Sequence, residues 1–196
     1  MTPILRVYLA GPDVFLPDAE QCAERKQAIC ARHGLIGVTP LDDLPDQPAA
    51  WAALPEWQRI ALRNEQHIRS ADALIANLTP FRGPSADVGT AYELGFMRAL
   101  GRPVFGYSTT AAPFTQRSRN YAMTHGGAIG SAGGVWRDAD GMLIEQFGLT
   151  DNLMLEAAII GSGGQLIVEE IAPEARWTDR SVFERCVAAA ASKLGV

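Results

Sequence analysis

The chain has 196 residues, 47% of them hydrophobic and 20% charged, a balance that suits one folded domain and excludes wholesale disorder. Its formal net charge of -5 and pI near 5.2 exclude a general binder of nucleic-acid backbones, which requires a basic face. That balance suits a small, neutral or mildly charged substrate, and no uninterrupted apolar run of about 18 residues is present to span a membrane.

Residues 4–10 read as a first strand, ended by the breaker Gly11-Pro12. Residues 17–33 carry a helical pattern with Ala19, Cys22, Ala23, Ala28 and Ile29 near one face and Gly34 just past the end. A second strand is expected at 35–39, then a loop rich in Pro and Asp from 40 to 55, and a helix over 56–70. Residues 73–78 are almost wholly apolar, as a central strand covered on both faces must be. A helix over 86–100 and a strand over 103–107 follow.

Strand–helix alternation of this kind predicts an α/β fold with a parallel sheet. Ligands then bind beyond the carboxyl ends of the strands, here at Gly11-Pro12-Asp13, Pro40-Leu41-Asp42 and residues 79–87. Residues 109–150 break the rhythm and read as an insertion or flap within a single domain spanning 1–196. A helix over 151–160 with Asp151 as N-cap, a strand over 166–170 and a helix over 179–194 complete the pattern.

The three cysteines, Cys22, Cys30 and Cys186, are odd in number and lack a CxxC pair, which predicts reduced, buried thiols. No basic region precedes a cleavable apolar segment at Met1–Arg6, and the expected location is the cytoplasm. His33, His67 and His125 have no triad or metal spacing.

The segment from Phe81 to Gly95 carries the chemistry. Gly83 and Gly89 allow close approach of a ligand to the backbone, and Asp87 is placed to cap the helix that begins there. Glu93 follows six residues later, about 120° away around an ideal helix, so the two carboxylates meet a ligand from different directions. Two carboxylates near one sugar suit glycosidic chemistry, in which one attacks the anomeric carbon. Taken alone, the same residues also read as an ordinary N-cap and a solvated glutamate. The apolar neighbours Leu94, Phe96 and Met97, with Gly89 and Gly95 at costly helical positions, argue for tight packing or ligand approach instead.

Asp87-Val-Gly-Thr-Ala-Tyr-Glu93-Leu-Gly95 resembles the DxGxxxELG signature of the nucleoside 2-deoxyribosyltransferases. Tyr8-Leu-Ala-Gly11-Pro-Asp-Val-Phe15 resembles that family's opening strand and loop, and Ser70-Ala-Asp72 resembles the start of its third strand. Asp151-Asn152-Leu-Met154 is similar to a segment that, in the family, reaches into a neighbouring subunit's site. The resemblance implies a Rossmann-like or flavodoxin-like fold with helices on both faces, a homo-oligomer with shared sites, and no metal or cofactor.

By the same resemblance, Glu93 is expected to be the nucleophile and Tyr8 to orient it. Asp72 is expected to assist the departing base and Asp87 to hold the deoxyribose. Gly11 and Gly89 belong to the binding loops, and Phe15 to the base-stacking wall. Asn152 from a partner would bind the 5′ end, with Met154 closing the pocket. The implied partners are a deoxynucleoside and a free nucleobase. Close alternatives are hydrolysis of deoxynucleosides or of their 5′-monophosphates, with Arg82, Ser85 and Arg117-Ser-Arg119 as candidates for an anion site. An alternative of another class is a non-catalytic nucleotide-sensing module.

Overall fold

In the computed structural model, residues 4–126 and 130–196 are described. The strands are β1 (Arg6–Ala10), β2 (Ile36–Val38), β3 (Ala73–Asn77), β4 (Val104–Ser108), the short pair β5 (Gly130–Ala132) and β6 (Val135–Arg137), and β7 (Leu166–Val168). Five of them form one parallel sheet in the order β2-β1-β3-β4-β7, and β5 and β6 form a separate antiparallel hairpin. This is the flavodoxin-like order.

Both faces of the sheet are covered, so side chains that alternate along a strand enter two different cores. Val7, Leu9, Ala73, Ile75, Phe105 and Tyr107 pack on one side with Phe183, Cys186 and Val187. The last three belong to the closing helix α6 (Ser181–Leu194), which shares that face with α1 (Ala19–Arg32). Tyr8, Ala10, Leu74 and Ala76 pack on the other side with Ile68, Leu94, Met97 and Ile159. Those residues belong to α2 (Glu56–Ser70), α3 (Val88–Ala99) and α5 (Leu153–Gly161). Cys22, Cys30 and Cys186 are all buried free thiols, and burial pushes the Cys30 thiol up to about 12.

Because β1 lies between β2 and β3, the chain leaves β1 toward one side and leaves β3 toward the other. The crevice opens where the connections diverge, at the carboxyl ends of β1 and β3. The approach there is close: a Cβ added to Gly11 would lie 2.8 Å from Asn77 Cβ and 2.6 Å from Asp13 Oδ2. Behind this loop, Lys26 Nζ donates to Asp13 Oδ2 at 2.6 Å and to the Tyr107 hydroxyl at 2.8 Å. Burial acts to raise the Asp13 carboxyl, but the Lys26 ammonium and the Asn77 amide hold it below its usual range.

Residues 109–150, read as an insertion or flap, carry α4 (Phe114–His125), the β5–β6 hairpin and an antiparallel bridge between Arg137 and Leu143. Residues 127–129 of its glycine-rich stretch lie outside the described residues. Arg117 ties α4 to the body of the chain, donating to the carbonyls of Pro84, Ala112 and Thr150 and to the Asp151 carboxylate. The N-cap of α5 is Asn152, which accepts from Met154 N at 3.0 Å, and not Asp151. Asp151 is buried and accepts from Ser85 Oγ, Ala86 N and Arg117, so its carboxylate is fully engaged elsewhere.

Candidate active site

Helix α3 buries Thr90, Glu93, Leu94 and Met97, an i, i+3, i+4, i+7 stripe facing the sheet. Glu93 therefore sits where a core hydrophobe is expected, and only 9% of it is exposed. A carboxylate held there needs partners. The Tyr8 hydroxyl, itself fully buried, donates to Glu93 Oε1 at 2.6 Å, a short bond of the charge-assisted kind. Asn64 Nδ2 donates to the same oxygen at 3.4 Å.

Burial is the largest influence on the Glu93 carboxyl, and with the nearby Asp87 charge it pushes the group up to about 7. The bonds from Tyr8 and Asn64 act in the opposite direction. Burial and the Glu93 charge raise the Tyr8 phenol well above its ordinary range, so Tyr8 remains a donor at neutral pH.

Asp87 caps α3, accepting from Thr90 N at 2.9 Å and from Thr90 Oγ1 at 3.1 Å. The cap precedes the regular helix, which lets Asp87 and Glu93 face one cavity despite their spacing. That cavity, about 320 Å³, is lined by Gly11, Val14, Phe15, Pro40, Leu41, Ile60, Arg63, Asn64, Asp87, Gly89 and Glu93. It continues along the groove between α2 and α3 into a second hollow of about 270 Å³, which shares Ile60, Asn64, Gly89 and Glu93 with it. The volumes suit a nucleoside-sized ligand.

The structure thus gathers Tyr8, Gly11, Phe15, Asp87, Gly89 and Glu93 at one place. A Cβ on Gly89 would stand 3.0 Å from Asp87 Oδ2, which accounts for glycine at that helical position. Gly95 has no heavy atom near its added Cβ, so tight packing does not explain it.

Asp72 is not part of the cluster. Val7 pairs with Ala73, so Asp72 lies level with Arg6 at the amino end of the sheet. It is exposed and accepts from Arg6 N at 2.8 Å. The site loop starts at Gly11, five residues further along β1 and about 16 Å away at ~3.3 Å per residue. The register therefore sets Asp72 apart from the hollows that Glu93 lines.

Asn152 and Met154 are not among the residues lining either hollow. Asn152 Nδ2 donates to Glu145 Oε1 at 2.5 Å, and Met154 is 67% exposed. Of the residues considered for an anion site, Ser85 is bonded to Asp151, and Arg117 to Asp151 and three carbonyls.

Asn64 was missed, although a signal was present. Asparagine is a poor residue for a helix interior, and Asn64 stands four residues before the buried Ile68 and four after Ile60, which lines the same hollows. Its Oδ1 is buried with no hydrogen-bond partner among the described residues, which leaves an acceptor free for a ligand. No three His, Cys, Asp or Glu side chains converge as a metal site among the described residues.

The geometry defines an α/β protein with a buried, tyrosine-bonded carboxylate at the switch point of its sheet. A family model described as nucleoside 2-deoxyribosyltransferase matches residues 7–154, and the chain belongs to that family. A 2-deoxyribosyltransferase from Leishmania mexicana is 32% identical, with a TM-score of 0.55, over 77% of this chain and 85% of its own. An uncharacterized protein of Schizosaccharomyces pombe is 33% identical over 175 residues, covering 83% of this chain and 81% of that one. A conserved protein from Enterococcus faecalis shares the fold, with 18% identity and a TM-score of 0.50 over 93% of this chain and 99% of its own.

Proposed function

We propose that the protein exchanges the base of 2′-deoxynucleosides through a covalent deoxyribosyl intermediate on Glu93. The observation that carries this reading is the buried Tyr8–Glu93 pair facing Asp87 across a nucleoside-sized cavity. The ionised Glu93 oxygen attacks C1′, forming a C–O bond as the C1′–N bond breaks through an oxocarbenium-like transition state. The base leaves with the bonding electrons and takes up a proton from water. An incoming base then attacks C1′ from the vacated face, loses its proton and returns Glu93 to the carboxylate. Two inversions give net retention.

Tyr8 holds the carboxylate in line and Asp87 meets the sugar hydroxyls. Phe15 provides an apolar wall for the base. Asn64 takes the place beside Glu93 that Asp72 does not reach, and its free carbonyl oxygen suits an N–H of the substrate. An amide binds a base but cannot protonate it.

The working form is proposed to be a homo-oligomer, in which Asn152 and Met154 of a second copy complete the site. Supporting this, Trp57, Val88, Tyr92, Met154 and Ile160 are apolar side chains exposed on α2, α3 and α5. Base exchange in nucleotide salvage, within the cytoplasm, is the corresponding physiological role.

The test is product analysis with thymidine, with and without added adenine. Deoxyadenosine formed only with adenine supports transfer. Free thymine and deoxyribose in both mixtures would make the protein a hydrolase, and no turnover of any deoxynucleoside or 5′-monophosphate would leave the sensor reading.

A further inference from the structure

On the other side of Phe15 lies a separate hollow of about 310 Å³, and neither Glu93 nor Asp87 lines it. Its walls are aromatic. Phe15 and Phe81 stack with centroids 5.3 Å apart at 11°, and Trp177 meets Phe81 edge-on at 6.5 Å. The Arg82 guanidinium lies over both phenyl rings, 5.0 Å from Phe15 and 4.6 Å from Phe81. Arg176 closes the rim.

These two arginines differ from the chain's engaged ones. Arg32, Arg117 and Arg185 each face a carboxylate. Among the described residues, neither Arg82 nor Arg176 has an ion pair, and Arg176 Nε, like that of Arg6, Arg63, Arg119 and Arg180, is buried with no hydrogen-bond partner. A buried guanidinium N–H without an acceptor is costly, and an anionic ligand would satisfy it.

Arg82 also adopts φ 55, the left-handed region where glycine or asparagine is at ease and arginine is strained. Both arginines also line a further open hollow of about 700 Å³, so an anion between them would sit at the junction of the two spaces.

An aromatic wall beside two guanidinium forks without counter-ions suits a ligand that joins a planar ring to an anion. We propose that this hollow binds a nucleoside 5′-phosphate, with the base against Phe81 and Trp177 and the phosphate between Arg82 and Arg176. The site is distinct from the Glu93 cavity but shares Phe15 as a wall, so its occupant bears on the position of that ring.

The test is calorimetric titration of the Glu93→Ala protein, which cannot turn over, with adenosine 5′-monophosphate. Adenosine and inorganic phosphate serve as half-ligand probes. The nucleotide should bind more tightly than either probe, and should still bind when deoxyadenosine saturates the other cavity. Arg82→Ala and Arg176→Ala should each weaken it by about tenfold or more, the scale of a lost charge-assisted pair. With Glu93 intact and no nucleotide present, Arg176→Ala should exchange bases at a rate within about twofold of the unmodified protein, since Arg176 lines neither hollow that Glu93 lines.

The proposal is overturned if the nucleotide does not bind, if deoxyadenosine displaces it, or if affinity is indifferent to both arginines. Arg82 is exposed, so its truncation removes little packing and keeps the test open should Arg176→Ala fail to fold. Failure of deoxyadenosine to bind would count against deoxyribosyl transfer, while arginine-dependent nucleotide binding would still read this second site.

Discussion

The Tyr8 phenol donates a 2.6 Å hydrogen bond to Glu93 Oε1, joining the middle of the first strand to a helix 85 residues later. This bond holds the Glu93 carboxyl down against the burial that raises it. Tyr8→Phe should therefore raise it further, moving the acid limb of the kcat/KM profile up by about one pH unit. Turnover at pH 7 should drop by about tenfold or more, through lost ionisation and lost alignment. A pH–rate profile of the variant checks this, and an unmoved acid limb would contradict it.

Glu93 is also expected to make stability depend on pH. Its folded value of about 7 exceeds the ordinary 4.5, so folding favours the protonated form. That contribution is complete below pH 4.5 and is lost as the pH rises through about 7. Glu93→Gln keeps the shape and can accept the Tyr8 bond. It should be more stable than the unmodified protein at pH 8 by on the order of 1–3 kcal/mol, with the gap closing by about pH 5. Paired urea melts at the two pH values measure it.

Asn64→Asp would place a second carboxylate against Glu93. Like charges at this distance oppose joint ionisation, so the Glu93 carboxyl should rise and activity at pH 6 should suffer more than at pH 8. Equal losses at both pH values would mean that Asn64 acts on the substrate alone.

Asp72→Asn is expected to leave base exchange within about twofold, because among the described residues the side chain bonds the Arg6 amide alone, at the far end of the sheet, and surface changes of this kind are small. A loss of a hundredfold in the product assay would return Asp72 to the chemistry.

Gly11→Ala should displace the loop that carries Phe15, since the new Cβ would stand 2.8 Å from Asn77 Cβ in the core of the crevice. The expected loss is about 1–3 kcal/mol of stability, as for overpacking. A rise in KM for the donor beyond the thermal effect would show that the loop shapes the binding wall.

Much of the fold was legible from local pattern. Apolar runs such as Ala73–Asn77 and the stripes of α2 and α3 repeat with periods that each short segment carries by itself. Residues 109–150 were less legible because α4 buries none of its residues, and an exposed helix leaves no apolar stripe to read. The misplacement of Asp72 has a different origin. Proximity to a strand start is visible in one dimension, but which end of the sheet that start occupies depends on pairing with β1.

By itself, the sequence determined the order of strands and helices along the chain, the polar loops at the carboxyl ends and the place of Glu93 among apolar neighbours on the helix after the third strand. These follow from side-chain periodicity and turn chemistry, which act over a few residues. Only the tertiary structure decided that Glu93 is bonded to Tyr8, that Asn64 and not Asp72 stands beside it, and that Arg82 and Arg176 share a rim. Those relationships depend on parallel register and on the packing of helices against one sheet, which bring together residues that no local pattern connects.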